Sequence, residues 1–137
     1  MEKVFRHKLM VRYAETDQMG IVYYANYLVW FEAARTDFLK SIGIPYRELE
    51  KSGIFLPVAE AFCKYLSPAY YEDEITVETY LSKIGNASIE ISYKVKREDK
   101  VIATGYTKHA CTNKEGKIQR IPENIKEKLK KYLVENA

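Results

Sequence analysis

Between Tyr27 and Ile42 the chain carries one long helical pattern, in which Tyr27, Trp30, Phe31, Ala34, Phe38 and Ile42 recur at steps of three and four. The pattern stops at Gly43, a residue suited to the left-handed end of a helix, and Pro45 just beyond cannot continue it. Asn26 stands where an N-cap would. At about 1.5 Å per residue such a helix is roughly 24 Å long. With aromatic side chains at several of its inward positions, it needs a broad apolar cover.

The flanking segments can supply that cover. From Phe5 to Tyr13 the odd positions are Phe, His, Leu, Val and Tyr and the even ones Arg, Lys, Met and Arg, the two-residue period of a strand with one buried face. Polar residues and a glycine, Glu15 to Gly20, then turn the chain. After the helix come four more strand-like stretches, Phe55 to Tyr65, Ile75 to Leu81, Ile89 to Val95 and Val101 to Cys111. Gly85-Asn86 and Glu98-Asp99-Lys100 are connections of hairpin length, so the last three strands should form an antiparallel meander. From Pro122 onward, Ile125, Leu129, Tyr132 and Leu133 at helical spacing among lysines predict a short surface helix. The expected class is α+β: a five-stranded antiparallel sheet wrapped around one long central helix, plus a C-terminal helix. No repeat, linker or low-complexity segment is visible, and residues 1–137 read as a single domain.

Composition narrows the function classes. With 47% hydrophobic and 30% charged residues the chain is neither disordered nor collagen-like, and two cysteines, Cys63 and Cys111, cannot make a disulfide scaffold. A net charge of +3 is too small to announce nucleic acid, and the run Lys126 to Lys131 is most simply the solvated face of the last helix. The longest apolar stretch, Ile21 to Phe31, is broken by Asn26 and falls well short of the roughly 18 residues a membrane span needs. The first residues lack the apolar core of a signal peptide, so the expected location is a reducing cytoplasm.

Few residues can carry chemistry. His109 and Cys111 share one strand face, but no second pair stands at metal-ligand spacing, so they read as packing and no metal is expected. Neither a glycine-rich phosphate loop nor a Gly-x-Ser-x-Gly elbow occurs. Glu32 and Arg35, three apart on the helix, can form an ion pair. The informative stretch is Tyr13 to Tyr27, which holds Tyr13, Tyr23, Tyr24 and Tyr27 among the 12 tyrosines and sets Glu15 and Asp17 ahead of a helix N-terminus. The first helical turn has N–H groups without partners and a partial positive charge. A carboxylate aimed at a carbonyl whose oxygen rests on those groups makes a workable acyl-transfer site. On pattern alone, ordinary loop and capping roles are the simpler account of both acids.

The same stretch resembles the signature of the 4-hydroxybenzoyl-CoA thioesterase family of hotdog-fold proteins, including the acyl-CoA thioesterases associated with the Tol-Pal system. The matching residues are Thr16-Asp17, Gly20, Val22-Tyr23, Asn26-Tyr27, Glu32 and Arg35, with Pro57, Pro68 and Asp73 further along. The resemblance implies a hotdog-fold thioester hydrolase acting on coenzyme A or acyl carrier protein thioesters, without metal or organic cofactor. It also implies a homodimer or homotetramer with active sites at the subunit interface. Asp17 matches the catalytic carboxylate, and the backbone N–H of Tyr24 matches the group that polarises the thioester carbonyl. Many members of the Tol-Pal-associated branch have His at the position of Tyr24, so it is the backbone group that carries over. Tyr23, Asn26 and Tyr27 are the candidate substrate contacts beside it, with packing under the site as the alternative for the tyrosines. Lys83 and Ser88, flanking the turn at Gly85-Asn86, are candidate contacts to the phosphates of coenzyme A; some members carry Arg where Asn86 stands.

Asp17 can attack the thioester directly or activate water. The main alternative is a non-catalytic acyl-CoA or acyl-carrier binding module of the same fold. A single-stranded RNA binder, suggested by the tyrosine content, is disfavoured because basic residues are interspersed with acids rather than gathered in a stripe. A hotdog dehydratase would rely on a His, and neither His7 nor His109 lies at the helix junction.

Overall fold

The computed structural model describes residues 2–135. Strand β1 (Phe5–Met10) is followed by a single 3₁₀ turn at Tyr13–Glu15, the long helix α1 (Asn26–Ser41) and a short helix α2 (Tyr46–Lys51). Then come β2 (Val58–Tyr65), β3 (Glu74–Ile84), β4 (Ser88–Arg97), β5 (Lys100–Ala110) and the helix α3 (Glu123–Lys130). The strands form one antiparallel sheet in the order β1-β3-β4-β5-β2. This is the hotdog architecture expected from the sequence. Among the described residues no helix is long and apolar enough to cross a membrane.

Alternation decides which face of the sheet meets α1. Ile75, Val77, Thr79 and Leu81 of β3 and Ile89, Ile91, Tyr93 and Val95 of β4 are buried, as are Tyr27, Trp30, Phe31, Ala34, Phe38 and Leu39 of α1. At the centre, Phe31 stacks on Tyr93 with ring centroids 4.1 Å apart and planes 4° from parallel. Gly105 makes room for that stack: a Cβ there would lie 2.7 Å from the Phe31 ring and closer still to the Phe62 carbonyl oxygen. His7 ties β1 to α1 through a contact with Asp37.

Several local expectations are corrected. The first strand ends at Met10 rather than Tyr13: Val11 keeps the inward alternation but bonds to the turn at Glu72 and Asp73 that precedes β3, and Tyr13 sits in the 3₁₀ turn, 76% exposed, with its ring against Tyr71. Asn26 is not an N-cap: the helix begins at Asn26 itself, and its side chain reaches back to the Glu15 carbonyl. Gly43, at φ 85°, ends α1 as predicted, but Pro45 then starts α2, whose Leu49 closes the end of the core. Pairing of β2 begins only at Val58, Phe55 making an isolated bridge to Thr112. Glu32 and Arg35 do not pair; the Arg35 guanidinium turns inward and donates to the Tyr93 hydroxyl at 3.2 Å. A buried phenol needs partners for its oxygen, whereas Glu32 is free to stay solvated.

Candidate active site

The loop between the 3₁₀ turn and α1 is built around two carboxylates with different tasks. Glu15 is buried, and every oxygen it has is occupied. Its Oε1 accepts the Arg12 N–H and its Oε2 the Trp30 Nε1–H, each at 2.9 Å. Its carbonyl accepts the Tyr23 N–H at 2.8 Å and the Asn26 Nδ2–H at 2.9 Å. Glu15 and Asn26 therefore form the frame that clamps the loop to the first turns of α1.

Asp17 is held differently. Its N–H donates to the Ile21 carbonyl at 2.8 Å and its carbonyl accepts the Gly20 N–H at 3.0 Å, closing a tight turn in which Gly20 takes φ 80°. The carboxylate Oδ1 accepts the N–H groups of Met19 at 2.8 Å and Ile21 at 3.4 Å. The other oxygen, Oδ2, takes no hydrogen bond from the described residues. One oxygen is thus anchored and its neighbour is free of protein partners among the described residues. The turn itself is docked by the Val22 N–H, which donates to the Ala69 carbonyl at 2.9 Å.

Asp17 opens onto a cavity of about 380 Å³, shared with Tyr24, Tyr27, Tyr65 and residues 66–68. At its rim lies the start of α1. The Tyr23 carbonyl accepts the Asn26 N–H at 2.9 Å and the Tyr24 carbonyl the Tyr27 N–H at 3.3 Å, while the N–H groups of Tyr24 and Ala25 find no acceptor among the described residues. They carry the positive end of the helix. Three tyrosines stand on its wall: the Tyr27 ring is edge-on to Tyr65 at 4.9 Å, and the Tyr65 hydroxyl donates to the Tyr24 carbonyl at 2.8 Å. Burial pushes the Tyr27 phenol up to about 12, and burial also raises Tyr65, so both stay protonated. An anchored carboxylate, a residue at the open start of a helix and an apolar wall line one cavity, a combination suited to acyl transfer.

A sequence profile of the thioesterase-like superfamily matches residues 11–129. The chain belongs to that superfamily. It is 37% identical over 113 residues to the putative acyl-CoA thioesterase YneP of Bacillus subtilis, covering 82% of each chain. Its fold superposes on the crystal structure of the hypothetical protein TT1821 from Thermus thermophilus with a TM-score of 0.90, at 37% identity and with 96% and 98% of the two chains covered. With the DHNA-CoA thioesterase of Staphylococcus aureus the TM-score is 0.88 at 28% identity, covering 96% and 97%.

In this thioesterase-like chain, Asp17, Tyr24 and Tyr27 share the cavity, and Tyr23 flanks it with its ring 4.6 Å from that of Tyr24. A hydrogen bond with Tyr24 raises the Tyr23 phenol. Lys83 and Ser88 do not join the cavity. Arg97, paired with Ile75 at the start of β3, donates to the Pro68 carbonyl at 2.7 Å and so marks the cavity end of the sheet. Lys83 lies at the far end of β3, roughly 26 Å away at about 3.3 Å per residue. There the hairpin is fastened to the rest of the chain, the Ala87 carbonyl accepting the Cys111 N–H at 2.8 Å and the Asn86 carbonyl the Ile121 N–H at 2.9 Å.

Cavity residues Tyr65, Leu66 and Ser67 escaped sequence reasoning. They reach the loop only because β2 pairs with β5 at the sheet edge, and their one local signal is a pair of large side chains at a strand end before Ser67-Pro68. His109 lies elsewhere, buried in a polar chain. Arg35 donates to the Tyr93 hydroxyl, which contacts Thr107 Oγ1 at 2.7 Å; Thr107 Oγ1 contacts His109 Nε2 at 2.8 Å, and Nδ1 contacts the Leu56 carbonyl at 2.9 Å. With a neutral ring the four contacts fit one set of proton positions: Nδ1–H donates to the Leu56 carbonyl, Nε2 accepts from Thr107, and Thr107 accepts from Tyr93. Burial lowers His109 to about 4, and raises the Cys111 thiol. Among the described residues no three His, Cys, Asp or Glu side chains converge as a metal ion would need.

Proposed function

We propose that this chain hydrolyses acyl thioesters of coenzyme A or acyl carrier protein, with Asp17 as the essential side chain. The observation that carries the reading is an apolar cavity lined by both Asp17, whose Oδ2 takes no hydrogen bond from the described residues, and Tyr24, whose N–H finds no acceptor among them, in a member of the thioesterase-like superfamily. The Bacillus subtilis relative and the Staphylococcus aureus structure are both named for CoA thioesters, which supports that substrate class. Within the family, we assign the chain to the Tol-Pal-associated branch on its resemblance over Tyr13 to Arg35, with Tyr24 standing where many members of that branch have His.

The acyl carbonyl oxygen rests on the Tyr24 N–H, so that charge developing on it meets the positive end of α1. In one route Asp17 Oδ2 attacks the carbonyl carbon, the oxyanion collapses, the C–S bond breaks and the thiolate leaves. The resulting mixed anhydride is then hydrolysed by water. In the other, Asp17 takes a proton from the attacking water and the same oxyanion expels the thiolate. Single turnover in ¹⁸O water with mass analysis of the Asp17 peptide reads the difference: label in Asp17 establishes the anhydride.

A second copy completes the site in this reading. Strand β2 is a sheet edge with one side unpaired, and Val58, Phe62, Tyr65 and Leu66 on or beside it are exposed. An edge of this kind invites pairing with a like strand. Lys83 and Ser88, remote within one chain, are proposed carrier contacts only from that second copy. The deciding experiment is free-thiol release from a panel of acyl-CoA esters by wild type and Asp17→Asn. Turnover should fall by roughly two to four orders of magnitude in the variant, the range for losing a positioned catalytic group. Unchanged turnover removes Asp17 from the mechanism. Saturable acyl-CoA binding without thiol release would instead identify a binding module.

A further inference from the structure

We propose that Tyr65 is a positioning residue for thioester hydrolysis, its hydroxyl holding the Tyr24 carbonyl so that the N–H donors at the start of α1 face the substrate. This rests on the hydrolytic reading above. The Tyr24 carbonyl accepts two hydrogen bonds, from the Tyr27 N–H at 3.3 Å and from the Tyr65 hydroxyl at 2.8 Å. The helical bond is the longer, so the phenol is the tighter restraint on this peptide unit.

A peptide unit is planar and trans, so fixing its carbonyl fixes the N–H on its other side, here that of Ala25. It also fixes ψ of Tyr24, which sets the angle to the preceding unit that bears the Tyr24 N–H. That preceding unit is held at its own carbonyl by the Asn26 N–H at 2.9 Å. Both units that present free donors are thereby restrained by their carbonyls, one from within the helix and one from β2. Donation to a carbonyl further polarises the amide, which strengthens the N–H of the same unit.

Tyr65 is suited to the task. Its ring is edge-on to both Tyr27 at 4.9 Å and Tyr24 at 6.5 Å, so the hydroxyl is aimed by packing on two sides. Burial, with Cys63 and Tyr27 close by, raises the phenol above its ordinary range and keeps it a donor throughout the physiological pH range. Being the last residue of β2, it also links the unpaired sheet edge to the start of the catalytic helix.

The test is Tyr65→Phe, which keeps the ring and removes only the donor, assayed beside wild type and Asp17→Asn with one acyl-CoA. Expected are a kcat lower by about tenfold to hundredfold, the cost of misplacing oxyanion donors, KM within about twofold, and an unchanged melting temperature. In the ¹⁵N/¹³C spectrum, the Tyr24 carbonyl and Ala25 amide resonances should move in the variant. If wild type turns over, Asp17→Asn does not, and Tyr65→Phe keeps its kcat, the positioning role is overturned and hydrolysis stands. A joint loss of kcat, KM and melting temperature would show a merely structural tyrosine and also overturn it. No thiol release by wild type defeats hydrolysis and this role together.

Discussion

Acidification should destabilise this protein through His109. The side chain is 2% exposed, and burial lowers its pKa to about 4 from an ordinary 6.5. Burial disfavours the charged ring, the nearby Arg35 guanidinium adds repulsion, and a protonated Nε2 would force Thr107 to turn from donor to acceptor. An unfolded chain binds the proton below pH 6.5 and the folded chain only near pH 4, so stability is fully present above 6.5 and is lost as pH falls through that window. The linkage relation gives a loss of about 2 kcal/mol at pH 5 and about 3 kcal/mol at pH 4, relative to pH 7. That is a large share of the roughly 5–15 kcal/mol by which domains are stable. Urea unfolding at pH 7, 6, 5 and 4, at fixed protein concentration, measures the slope in wild type and in His109→Gln. Whatever the variant loses at pH 7, its stability should fall by about 2 kcal/mol less between pH 7 and 5. Equal slopes in the two proteins, or a His109 ring titrating near 6.5 by NMR in the folded state, would refute the reasoning.

Glu15→Gln should cost about 1–3 kcal/mol, because the amide turns a donor toward the Arg12 or Trp30 N–H that the carboxylate now accepts; thermal melting reads this. Its folded fraction should keep more turnover than Asp17→Asn, since the residue frames the loop without opening onto the cavity. Gly105→Ala should destabilise by about 1–3 kcal/mol or more, the added Cβ meeting Phe31 and the Phe62 carbonyl with no soft side to yield; denaturant midpoints check it. Retention of full stability by that variant would show that the Phe31–Tyr93 stack can shift.

Much of the fold is visible in local pattern. The step of three and four from Tyr27 to Phe38 and the alternation of Ile75 to Leu81 reflect, respectively, a helix with one apolar face and a strand with one buried side. The Gly43 stop needed no tertiary information, because only the backbone decides it. Local pattern failed at the ends of elements and at side chains with two possible destinations. Asn26 reads as a cap yet braces Glu15, and Arg35 reads as the partner of Glu32 yet turns to a buried phenol. Tyr93 lies 58 residues from Arg35 and is close only after folding, whereas Glu15 is 11 residues from Asn26 and is brought to it by the turn of the intervening loop.

The site divides the same way. Asp17 and the Tyr24 N–H occupy one short stretch, so turn chemistry and a helix start set the carboxylate near the positive end, a proximity legible in the sequence although it took the family resemblance to choose Asp17 over Glu15. The far wall is another matter. Tyr65 meets Tyr24 from 41 residues away because β2 pairs with β5 at the edge of the sheet, and Lys83 is remote because β3 carries it to the opposite end. Strand order and register depend on which apolar faces can cover α1 together, a property of the whole chain. Only the tertiary structure therefore decided which residues close the cavity over Asp17.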